Sequence, residues 1–175
     1  MPCYTGIGSR QTPAAVLDTM RRAATLLGHA VWTLRSGGAA GADGAFQAGA
    51  TLIGGKQEIY LPWPGFNAVE SPYTSPTEQA LALAGGIHPA WSRCRRAVRL
   101  LHARNVHQVL GPDCTEPSLA MVCWTPGGRI AGGTATAIRL AHQRCVPVLN
   151  LGASEHQGMR GIQVADWVNR RLRRH

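Results

Sequence analysis

The chain has 175 residues, 45% of them hydrophobic and 15% charged, with 21 glycines and a formal net charge of +9. This composition excludes a disordered chain, no apolar run approaches the ~18 residues of a membrane-spanning helix, and one domain over residues 1–175 is expected. Five scattered cysteines without a CxxC pair, and seven histidines without an HExxH, point to free thiols in a reducing cytoplasm and to no bound metal.

Cys3 to Ile7 reads as a first strand. A helix from Pro13 to about Leu27 follows, with Thr12 as its N-cap and Val16, Met20, Ala23, Ala24 and Leu27 as its apolar stripe. Val31 to Leu34 is a second strand, Ala42 to Ala50 a short helix, and Glu58 to Leu61 a third strand stopped by Pro62 and Pro64. From Gly65 to Pro76 the periodicity lapses, which predicts a surface excursion or lid. A short helix over Thr77 to Ala84 and a long one from Pro89 to Val106 come next. The long helix carries Trp91, Cys94, Val98 and Leu101 on one face and Arg95, Arg96 and Arg99 opposite. Ala120 to Trp124 is a fourth strand, Thr134 to Gln143 a helix, Val146 to Leu151 a fifth strand, and Gly161 to Leu172 a closing helix. Strands alternating with helices predict an α/β, Rossmann-like, doubly wound sheet, mainly parallel, with helices on both faces.

Three glycine-rich turns each follow a strand: Gly6 to Arg10, Ser36 to Asp43, and Thr125 to Thr134. A turn from strand into helix leaves backbone N–H groups open to a phosphate. The candidate binding residues are therefore Gly8, Ser9 and Arg10 of the first turn; Ser36, Gly37, Gly38, Gly41 and Asp43 of the second; and Gly127, Gly128, Gly132, Gly133 and Thr134 of the third. Asp43 either meets a ribose or caps its helix. Arg129 either clamps an anion or stays in solvent. Trp63 and Tyr73 are candidates to stack a base, while Trp91 reads as core. No catalytic residue is assigned; Asp43 and Glu70 are the carboxylates to test if the chain is an enzyme. Lys56 is the sole lysine, so the positive charge is almost all arginine, concentrated at Arg93, Arg95, Arg96, Arg99 and Arg104 and at Arg170, Arg171, Arg173 and Arg174. Such a surface favours polyanions.

The segments "YTGIGSRQTP", "LRSGGAAGADGAFQAGA", "LLHARNVHQVLG" and "GGTATAIRLAHQRCVPVLNL" together resemble the SLOG superfamily. That group includes the DNA-processing protein DprA (Smf) and the lonely-guy (LOG) phosphoribohydrolases; the length is closest to small stand-alone bacterial or phage members. The resemblance places Arg104 at a shared binding arginine and implies a nucleotide-type ligand, with no separate cofactor. The partner is then a nucleotide-like small molecule that the chain senses, sequesters or processes. The alternative is single-stranded nucleic acid, as in DprA. A third reading is a subunit-interaction module, and the closing helix leaves room for a homo-oligomer. One departure bears on catalysis. Where LOG enzymes carry an acidic residue for N-glycosidic hydrolysis, Thr136 and Ala137 stand here, and neither supplies that charge.

Overall fold

The computed structural model describes residues 1–172; Arg173 and Arg174 of the terminal arginine group lie outside them. Five strands, β1 (Cys3–Gly8), β2 (Thr33–Ser36), β3 (Gln57–Ile59), β4 (Ala120–Trp124) and β5 (Val148–Asn150), form one sheet in the order β3-β2-β1-β4-β5. Every pairing is parallel. The helices are α1 (Ala14–His29), α2 (Ala42–Thr51), α3 (Glu78–Ile87), α4 (Arg96–Leu110), α5 (Ala135–Gln143) and α6 (Gly161–Asn169). None is long and apolar enough to cross a membrane.

Parallel strands need crossover helices, and these bury both faces of the sheet. One core joins α1, α2 and α6 to the sheet. Its largest side chains, Tyr4, Trp32 and Phe46, meet edge to face with centroids 6.2–6.3 Å apart. The second joins α3, α4 and α5 to the opposite face. Small residues permit the close approaches: a Cβ on Gly6 would sit 2.6 Å from the Phe46 ring, and one on Gly49 would overlap the Arg21 carbonyl oxygen of α1.

Several boundaries differ from the expectations for physical reasons. Thr12 does not cap α1. Its hydroxyl donates to Ser9 O at 2.7 Å, and the helix starts behind Pro13 with no side-chain cap. Thr77 does cap α3, accepting from the Ala80 N–H at 3.2 Å. The long helix begins only at Arg96, because Cys94 and Arg95 are extended and Trp91–Arg93 form a separate helical turn. It then continues past Val106 to Leu110 and stops at Gly111, whose φ of +76° suits glycine. The segment from Gly65 to Pro76 is more than surface: Phe66 is buried with Leu61, and Asn67 Nδ2 donates to Gly38 O at 3.0 Å.

Candidate functional site

The strand order explains where a ligand can sit. The chain runs from β1 outward through β2 and β3, then returns to place β4 on the other side of β1. Loops leaving β1 and β4 therefore diverge, and the crevice between them lies outside the carboxyl ends of the strands. A cavity of about 710 Å³ occupies that position. The first turn contributes Gly8, Ser9 and Arg10 to its wall, the third Pro126, Arg129, Gly132, Gly133 and Thr134, and α4 contributes Val98, Leu101, His102, Arg104 and Asn105.

The three turns are not equivalent. The second follows β2, away from the divergence, and only Ala39 and Asp43 of it reach the cavity wall. Ser36 is buried and its hydroxyl donates to Gly6 O at 2.7 Å. Gly37 lies against the Arg104 guanidinium, which donates to its carbonyl; Gly38 packs on Leu61, and Gly41 on the backbone of Ser9 and Arg10. Gly128 faces Ala153, and neither it nor Gly127 lines the cavity. Ser36, Gly37, Gly38, Gly41, Gly127 and Gly128 thus shape the turns, whereas Gly8, Ser9, Arg10, Asp43, Arg104, Gly132, Gly133 and Thr134 are brought together around one space.

First-turn amides are mostly engaged within the protein. Gly8 N–H donates to Asp43 Oδ1 at 3.2 Å and Ser9 N–H to Trp124 O at 3.1 Å. The third turn is different. Among the described residues, no acceptor takes the N–H groups of Gly132, Gly133 and Thr134, and the Thr134 hydroxyl makes no cap bond at the start of α5. Unengaged donors at a helix N-terminus carry the positive end of its dipole. Gly133 adds a second sign. Its φ is ordinary and nothing lies within 4 Å of a Cβ built on it, so no neighbour in the protein demands glycine there.

The charges of the wall are lopsided. Arg10, Arg104 and Arg129 face a single carboxylate, Asp43, which is 1% exposed. Arg104 Nη1 donates to Asp43 Oδ2 at 3.2 Å, and its guanidinium lies 5.8 Å from the centre of the Phe66 ring. Burial pushes the Asp43 carboxyl up from its ordinary value, while Arg104 and the N–H groups of Gly8 and Ala39 oppose that shift. Asp43 is therefore a buried tie between two turns and α4, rather than the N-cap or free ribose acceptor expected. Arg10 and Arg129 are exposed, and among the described residues no carboxylate partners either one.

His102, Asn105, Thr125 and Asn150 were not singled out by sequence reasoning. Thr136 Oγ1 lies 2.9 Å from His102 Nδ1, joining two buried side chains of α5 and α4. Burial, then the nearby His88 and Arg104, lower the His102 pKa to about 4. Asn150 accepts from the Thr125 N–H at 3.1 Å and donates to Thr125 Oγ1 at 2.7 Å, fixing the base of the third turn to β5. Its isolation as a polar residue in an apolar strand was the available signal. The aromatic candidates lie elsewhere. Trp63 packs edge-on against Phe66, Tyr73 lies 4.8 Å from Tyr60, and Trp91 sits beneath the Arg99 guanidinium. Glu70 also lies off the cavity wall.

A parallel sheet of this order, with its crevice at the β1/β4 divergence, defines a Rossmann-like α/β fold. Comparison with solved structures agrees. The molybdenum cofactor carrier protein of Chlamydomonas reinhardtii matches with a TM-score of 0.64 at 19% identity, over 98% of both chains. A second structure of that carrier gives 0.64 at 17% identity. DNA processing protein A of Helicobacter pylori, described for its single-stranded DNA binding mode, gives 0.56 at 16% identity over 99% of this chain and 81% of that one. At these identities the likeness is one of fold. No protein-family model matches the chain, and no curated protein matches it in sequence.

Proposed function

We propose that the chain binds a nucleotide or nucleotide-derived ligand in the cavity between the first and third turns, holding its phosphate on the third turn. The observation that supports this most is the set of unengaged N–H groups at Gly132, Gly133 and Thr134, beside Arg10 and Arg129. Main-chain donors and guanidinium groups of this kind are suited to a phosphate. The remaining wall, with Ile7, Val98 and Leu101, suits the apolar faces of a heterocycle.

Holding is favoured over hydrolysis. N-glycosidic cleavage needs a carboxylate beside the anomeric carbon, and the one on the wall is already tied to Gly8 and Arg104. Sensing, sequestration or carriage of the ligand is the role that follows. A carrier's task, as the name of the Chlamydomonas protein states for that protein, would use the same wall.

The second reading is single-stranded nucleic-acid binding, favoured by the exposed Arg93, Arg95 and Arg96 at the start of α4. Titration calorimetry with nucleoside monophosphates and with an oligothymidylate, at 50 and 200 mM salt, separates the two. A pocket-bound mononucleotide should lose little affinity, whereas a strand touching 6–10 phosphates should lose roughly a thousandfold or more. Saturable mononucleotide binding that Gly133→Val abolishes supports the first reading. Tight oligonucleotide binding with a steep salt slope, and none of mononucleotides, overturns it.

A further inference from the structure

Among the described residues, two buried polar side-chain atoms without a hydrogen-bond partner belong to residues that line the cavity: Arg104 Nε and Asn105 Oδ1. Asn105 is the more informative, because chemistry fixes its orientation. Its Nδ2 donates to Gly133 O at 2.7 Å, and a backbone carbonyl can only accept, so the amide cannot be turned round. The oxygen end is held as an acceptor on a residue that is 3% exposed, with no protein donor serving it. Asn105 shares a face of α4 with Leu101 and Val98, one and two turns earlier, so apolar side chains adjoin it on this wall. A ligand without a donor leaves such an acceptor uncompensated; a ligand with one completes it. Gly133 links this point to the phosphate end, since its carbonyl holds Asn105 while its N–H is unengaged.

We infer that Asn105 Oδ1 accepts a hydrogen bond from an exocyclic amino group of the ligand's heterocycle, and so selects bases that carry it over matched bases that lack it. This rests on the nucleotide reading of the cavity. The ligand class narrows accordingly, to a phosphorylated heterocycle that carries an exocyclic amino group.

Titration calorimetry on the wild-type chain with two matched pairs tests it. GMP and IMP differ by one exocyclic amino group, as do AMP and purine riboside monophosphate. At least one pair should separate by about tenfold or more in favour of the amino member. In Asn105→Ala that pair should bind with affinities within about twofold of each other. If Asn105→Ala does not fold, Asn105→Ser serves the same comparison, and the wild-type ratio alone already decides the first half. Equal binding within both pairs, or a preference that survives the substitution, overturns the inference and leaves the nucleotide reading standing. Binding of none of the four ligands removes the nucleotide reading and this inference together.

Discussion

Asp43→Asn tests the tie that sets the first two turns against α4. Asp43 and Arg104 are 1% and 7% exposed, and their 3.2 Å contact is supplemented by the Gly8 N–H on the other carboxylate oxygen. An asparagine has a single acceptor oxygen. It can serve Gly8 or Arg104, and its NH₂ must then face another donor. Removing one member of a buried ion pair costs roughly 3–5 kcal/mol, most of it from the charge left behind. Arg104 keeps its bond to Gly37 O and its contact with Phe66, and it borders a cavity, so the lower end is expected, about 3 kcal/mol. For a urea slope of roughly 2 kcal/mol per M, the unfolding midpoint should fall by about 1.5 M. Arg104→Met alone should destabilise too, by stranding the carboxylate. The double variant Asp43→Asn/Arg104→Met should recover about 2 kcal/mol or more of the summed losses. A loss below about 1 kcal/mol for Asp43→Asn, or strict additivity in the cycle, refutes the view of this pair as a buried tie.

Three other outcomes are expected. Gly133→Val should leave the unfolding free energy from urea titration within about 0.5 kcal/mol of wild type, because its side chain enters open space, while lowering nucleotide affinity by at least about tenfold in calorimetry. Gly49→Ala should cost about 1–3 kcal/mol in thermal or urea unfolding, because its Cβ overlaps the Arg21 carbonyl oxygen of α1. The pH dependence follows from His102. Its pKa in the folded chain is lowered to about 4, so the unfolded chain takes up a proton first, from about pH 6.5 downward. Stability should therefore fall as pH drops from about 6.5 to about 4, and His102→Asn should flatten that limb in thermal unfolding. An unchanged limb in the variant would remove His102 as its source.

The sequence made some features legible and hid others for identifiable reasons. The α1 stripe, the parallel strands and the three turns were readable because each depends on local periodicity or on glycine chemistry. That the second turn stands behind the cavity was not readable: it depends on β4 lying beside β1, a choice of neighbour that no local pattern encodes. The end of α4 was obscured because His102 through Leu110 are all buried, which erases the alternation that marks a helix face. Arg104 was expected at a binding site, and it does line the cavity. Its ion pair joins it to a residue 61 positions away, beyond the reach of spacing arguments. The excursion from Gly65 to Pro76 was read as surface from its lapse of periodicity, yet one phenylalanine and one asparagine make it a buttress for Gly38.

The most direct measurement is native mass spectrometry of the chain purified without unfolding, followed by identification of whatever denaturation releases. The expected result is a phosphorylated, amino-bearing heterocycle at one per chain, absent from Gly133→Val. Wild-type protein that carries no such molecule, and that takes up none from a mixture of nucleotides, would contradict a ligand held between the turns that follow β1 and β4.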